Sequence, residues 1–148
     1  MKRQDKYPET RTFHYYNVNP KNRFTTDCVI RAIATALEQD YNQTVMELAQ
    51  MQCETGYDDG DNKLYGKYLE RKGWAKYEQP RKWDNTKYTA KEWCVYVRES
   101  INWSPKGEQS KRIVAHIGGN QRAAILDGKV WDTWDCTDGC IGNYWVKK

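Results

Sequence analysis

Residues 24–37, FTTDCVIRAIATAL, constrain this chain more than any other stretch. From Val29 to Leu37 only Arg31 and Thr35 are polar. The segment therefore reads as a helix that is apolar on nearly every side, and such a helix must be buried. Thr25 or Thr26 is expected to cap it, and Asp27 suits the positive end of the helix dipole. Cys28 falls in the first turn, among backbone N–H groups that lack an intrahelical acceptor and favour a thiolate. Nucleophilic cysteine chemistry needs that placement, because the thiolate attacks and the thiol does not. The competing expectation is a small core residue, since free cysteine is among the most buried side chains.

A chain of 148 residues is long enough for one proper core, and a single domain over residues 1–148 is expected. Lys and Arg total 24 against 20 Asp and Glu, a net charge of +4. So mild a balance neither demands nucleic acid nor excludes it. Five cysteines make an odd count without the dense spacing of a secreted disulfide scaffold. The opening residues MKRQD are charged, and no apolar run reaches membrane-spanning length. A cytoplasmic, reducing setting without membrane contact is the resulting expectation.

Residues 1–12 are polar and are expected to form a flexible arm, with 13–16 as a short extended piece. The Asn19-Pro20 step breaks regular structure and delivers the chain into the Cys28 helix. A second helix is predicted over 42–53, capped by Asn42 or Thr44, with Thr44 and Glu47 at capping-box spacing. The acidic run 57–62 has the wrong order for a calcium loop and reads as a solvated turn. A third helix over 63–72 carries Leu64, Tyr65, Tyr68 and Leu69 on one face and stops at Gly73. Residues 74–87 read as irregular, and Thr89 with Glu92 opens a fourth helix to about residue 98. Residues 104–110 read as a polar connector.

The last third changes period. Residues 112–117 are strand-like, and 121–126 and 129–134 flank Asp127-Gly128, a strong hairpin signal. Residues 141–146 suggest one more strand. Helices first and an antiparallel sheet afterwards argue for an α+β fold.

A cysteine nucleophile needs a base and a group that orients that base. The chain has two histidines, His14 in the arm and His116 on the first C-terminal strand, and Asp132 follows on the hairpin. With Asp127-Gly128 as a two-residue loop, Ala123 pairs with Asp132, and Gln121 becomes a diagonal neighbour of that carboxylate. Cys136 and Cys140 have no second Cys/His pair to complete a zinc site, so no metal or cofactor is expected. Cys53 and Cys94 are expected in the core.

The segments TDCVIRA (26–32) and LDGKVWDTWDC (126–136), with Asn17 to Pro20 before them and GNYW (142–145) at the end, carry a resemblance. Together they resemble a group of short, mostly uncharacterised phage and bacterial proteins that are similar in layout to papain-like cysteine peptidases. The resemblance spans residues 13–146. It implies a papain-like core, with Cys28 as nucleophile, Asp132 as the orienting acid, and either an asparagine such as Asn19 or Asn22 or a backbone N–H ahead of Cys28 as oxyanion donor. In that group the base stands seven positions before the glycine of the hairpin turn, and here that position is Gln121.

An amide cannot accept a proton at neutral pH. If Gln121 fills the base position, Cys28 lacks a contribution that is typically 10²–10⁴-fold; if the Gly118-Gly119 turn brings His116 in, activity survives. Two functions follow. One is a thiol hydrolase or acyl-transfer protein acting on peptide or amide bonds. The other is an inactive binding module on the same scaffold, such as a phage-encoded host-interference protein, with residues 74–88 as a surface for a peptide or protein partner. Basic residues among rings in that stretch also suit single-stranded nucleic acid.

Overall fold

The computed structural model describes residues 1–100 and 111–147, and the connector expected at 104–110 lies outside them. The order is α1 (Arg3–Lys6), β1 (Phe13–Tyr15), α2 (Cys28–Leu37), α3 (Tyr41–Thr55), α4 (Asn62–Arg71), β2 (Trp74–Tyr77) and α5 (Ala90–Glu99). Strands β3 (Arg112–Ile117), β4 (Gln121–Leu126), β5 (Lys129–Asp132) and β6 (Ile141–Lys147) follow. The fold is α+β. One six-stranded sheet runs β1-β5-β4-β3-β6-β2, with β1 parallel to β5 and every other pairing antiparallel.

Both faces of this sheet are covered. Side chains alternate across a strand, so β3 and β4 send Ile113, Ala115, Ile117, Ala123 and Ile125 to one core and Val114 and Ala124 to the other. The first core takes Trp93, Cys94 and Val97 of α5; the second takes Val29, Ala32, Ile33 and Ala36 of α2 with Leu48, Leu64 and Leu69. Helix α2 is buried as its composition demanded, and even Arg31 and Thr35 are inside. No membrane-spanning helix occurs among the described residues.

Several local expectations change. Asp27, not a threonine, is the N-cap of α2, and its side chain makes no cap bond. Asp40 caps α3 by accepting from the Gln43 amide at 2.9 Å, while the Thr44 hydroxyl donates to the Asp40 carbonyl at 2.8 Å. Cys53 is exposed, because the inward face of α3 runs through Thr44, Leu48 and Met51. Cys94 is buried, and burial pushes its thiol up to about 12. Residues 74–77 form an edge strand whose lysine disguises it, a common device at sheet edges. Ahead of β1, the Arg3 side chain donates to the Thr133 carbonyl at 2.8 Å and lies 3.5 Å from the centre of the Phe24 ring.

The Asp127-Gly128 turn has positive φ at both residues, 50° and 78°, the pairing that a two-residue hairpin turn requires. Gly128 also presses on α5. A Cβ there would lie 2.8 Å from both the Cys94 carbonyl oxygen and the Arg98 Cβ. Gly128→Ala is therefore expected to cost roughly 1–3 kcal/mol, from overpacking and left-handed strain together. Urea denaturation reads this loss; a change below about 0.5 kcal/mol would mean that the hairpin tip is loosely docked.

Candidate functional site

The head of α2 meets the start of β4 and the end of β5, and a chain of polar side chains joins them. Asp27 accepts from Arg31 Nε at 2.7 Å, one turn along the same helix, and from the Tyr41 hydroxyl at 2.5 Å. The Asn19 amide donates to that tyrosine oxygen at 3.4 Å. The Arg31 Nη1 reaches Asp132 Oδ1 and lies 3.2 Å from the Thr133 hydroxyl. Asp132 Oδ1 also accepts from the Thr133 amide at 2.7 Å, and its Oδ2 accepts from the Gln121 side-chain amide.

Asp27, Arg31 and Asp132 are 7%, 6% and 2% exposed, so this is a buried carboxylate–guanidinium–carboxylate group. Charges buried this deeply persist only when paired and hydrogen-bonded, and here each is. Burial works against ionised Asp27, but the Tyr41 hydroxyl and Arg31 outweigh it and hold that carboxyl below its ordinary range. Burial dominates at Asp132 and pushes its carboxyl up, against the pull of Arg31, the Thr133 amide and Gln121.

Cys28 opens α2 and is half-buried, with its thiol 3.8 Å from the Asn120 carbonyl. It faces a cavity of about 400 Å³ whose other walls include Asp58, Asp59, Asp61, Asn120 and Arg122. The acidic loop expected as a solvated turn is thus one side of the thiol cavity. Arg122 is 9% exposed; its Nη1 donates to the Asn120 carbonyl at 2.9 Å, and its guanidinium lies 5.2 Å from the Tyr65 ring centre. Thiol and guanidinium therefore share one carbonyl oxygen.

The histidines lie elsewhere. Ile117 pairs with Gln121 across a tight turn, so Gln121 falls on the Ile117 and Ala123 side of the sheet. His116, one residue earlier, faces the other side. Its Nε2 is 2.6 Å from the Gly119 carbonyl, and its ring lines a different cavity, beside Tyr65 and Trp145. His116 shares the α2 face of the sheet with Val114, yet its ring opens on the Tyr65 cavity, while Arg122, its partner on β4, lines the cavity of the thiol. His14 pairs with Glu9 at 2.7 Å and packs on Trp131. Gln121 lies diagonally from Asp132 and bonds to it, as the hairpin register required.

Of the residues singled out from the sequence, Asn19, Gln121 and Asp132 belong to one network beside Cys28, and His116 does not. Asn22, the second oxyanion candidate, is exposed in a turn, its amide bonded to the Asn19 carbonyl at 2.8 Å. Arg31, Tyr41 and Arg122 escaped notice. For Arg31 a signal existed: a charged residue inside an apolar, buried helix must have a buried partner. Cys136 is buried and Cys140 exposed around the turn closed by Gly139. Among the described residues no cluster of three or more His, Cys, Asp or Glu side chains is placed to hold a metal ion. No family model matches the sequence, and no curated protein and no solved structure matches this chain.

Proposed function

We propose that this protein is a binding module on a papain-like scaffold, in which Cys28 is retained at the helix head but lacks a general base. One observation carries the reading: the Gln121 amide, not an imidazole, is hydrogen-bonded to Asp132. An amide holds the carboxylate in place yet cannot take the thiol proton. Arg31 occupies the other oxygen of Asp132, so the carboxylate works as a structural anion. The partner is a peptide or protein segment that enters the thiol cavity.

A weakened thiol hydrolase is the second reading, favoured by a half-buried thiol that opens α2 on a cavity, three residues before the Arg31 that binds Asp132. The two are separated with the native chain, an activated ester and iodoacetamide. Cys28→Ser serves as the blank, because Cys53 and Cys140 are also exposed. The binding reading expects no acyl-enzyme burst and an alkylation rate at Cys28 that His116→Ala leaves unchanged. A stoichiometric burst that disappears in Cys28→Ser would overturn it in favour of the hydrolase.

A further inference from the structure

The cavity lined by His116 has chemistry of its own. It measures about 490 Å³, within the range of small-molecule sites, and lies on the far side of the Arg122–Tyr65 stack from the thiol. Lys63, Lys67 and Lys76 line it, and none has a carboxylate within ion-pair distance among the described residues. Glu70 is the one acidic side chain of that lining, so the cavity carries an excess of positive charge.

Its walls are aromatic. Tyr65 and Trp145 are buried, 4% and 5% exposed, and Tyr57 is 39% exposed at the mouth, with the Lys63 ammonium 5.2 Å from its ring centre. Gly66 lets Trp145 stand this close to α4: a Cβ at that position would lie 3.0 Å from the indole. Polar groups converge on the same space. The His116 ring is held by the contact between Nε2 and the Gly119 carbonyl, which leaves Nδ1 as its second polar atom. The Tyr65 hydroxyl and the Asn62 amide make no hydrogen bond within the described chain.

From this combination we infer that the cavity beside His116 binds a nucleoside phosphate group: the phosphate among the three lysines, the base against Tyr57. Aromatic rings offer a face to any base, and lysine meets phosphate as a point charge. The ligand group is shared by a free mononucleotide and by the end of a single strand. The site is separate from Cys28 and does not depend on the reading given for it.

Titration calorimetry on the full chain tests this with AMP, inorganic phosphate, adenosine and a short single-stranded oligonucleotide. Saturable binding of AMP is expected, with phosphate and adenosine each at least tenfold weaker. Lys67→Gln and Lys76→Gln should each weaken it by about fivefold, and Tyr57→Ala by roughly tenfold, the scale of one lost stacking contact. All three residues are exposed, so the variants keep the fold, and Cys28→Ser should bind like the native protein. An oligonucleotide tighter than AMP assigns the group to a strand end, and the reverse order assigns it to a free nucleotide. No saturable binding by either at millimolar concentration overturns the proposal. So does phosphate binding as tightly as AMP, or affinity indifferent to the lysine and tyrosine changes.

Discussion

Replacing Arg31 by leucine is expected to lower stability by about 3–5 kcal/mol, the usual loss when a buried ion pair is broken from one side. At this chain length that corresponds to a fall in Tm of about 10–20 °C. The reason lies in what remains. Asp27 and Asp132 would stay inside, each deprived of the guanidinium that neutralises it. Such a loss is a large share of the 5–15 kcal/mol that holds a typical domain together. Arg31→Lys keeps the charge but not the planar fork that reaches two carboxylates at once, so an intermediate loss is expected. Arg31→Leu combined with Asp27→Asn and Asp132→Asn should recover a measurable part of the loss, since no buried charge is then left over. Thermal melts of the set decide the matter: a drop of less than about 3 °C for Arg31→Leu would show that the group is hydrated in solution.

Installing an imidazole where the amide now stands should have the largest effect on chemistry. In Gln121→His the ring would take over the bond to Asp132 that Gln121 makes, which leaves its other nitrogen free to act as a base. Cys28 and Arg31 share a helix face at i and i+3, and Arg31 and Gln121 meet on the same carboxylate. The thiol already touches the backbone of residue 120. The expected result is a rise of about 10²-fold in Cys28-dependent turnover of an activated ester, the lower end of what a positioned base supplies. Cys28→Ser must abolish the gain, and Asp132→Asn must reduce it. An unchanged rate in a folded Gln121→His protein would show that Arg31 holds Asp132 too firmly, or that the cleft excludes the ring, and the scaffold reading would lose its support.

Much of the layout was legible because the relevant signals are local. Strands β3 and β4 match their expected bounds, and the Thr89 capping box forms as read, with the Glu92 amide 3.1 Å from the Thr89 hydroxyl. The Asp-Gly turn fixed a register that put Gln121 diagonal to Asp132. Period-two geometry needs nothing beyond the turn to make that pairing. Caps were harder to read, since Asp27, Asp40 and Thr44 are all competent, and tertiary partners decide which one bonds to the helix end. At Asp27 the carboxylate is drawn away from the helix by Arg31 and Tyr41.

By itself the sequence determined that the stretch 24–37 would hold a buried helix with a thiol in its first turn, that a hairpin would carry Asp132, and that Gln121 would lie diagonal to that carboxylate. Only the tertiary structure decided that Arg31 would bind that carboxylate, that the acidic loop would wall the thiol cavity, and that His116 would face a basic, aromatic cavity instead. The physical reason is range. Helix periodicity and strand alternation act over a few residues, whereas a buried charge is satisfied by whichever partner the folded chain brings within about 3 Å. Here those partners lie as far apart in sequence as Arg31 and Asp132.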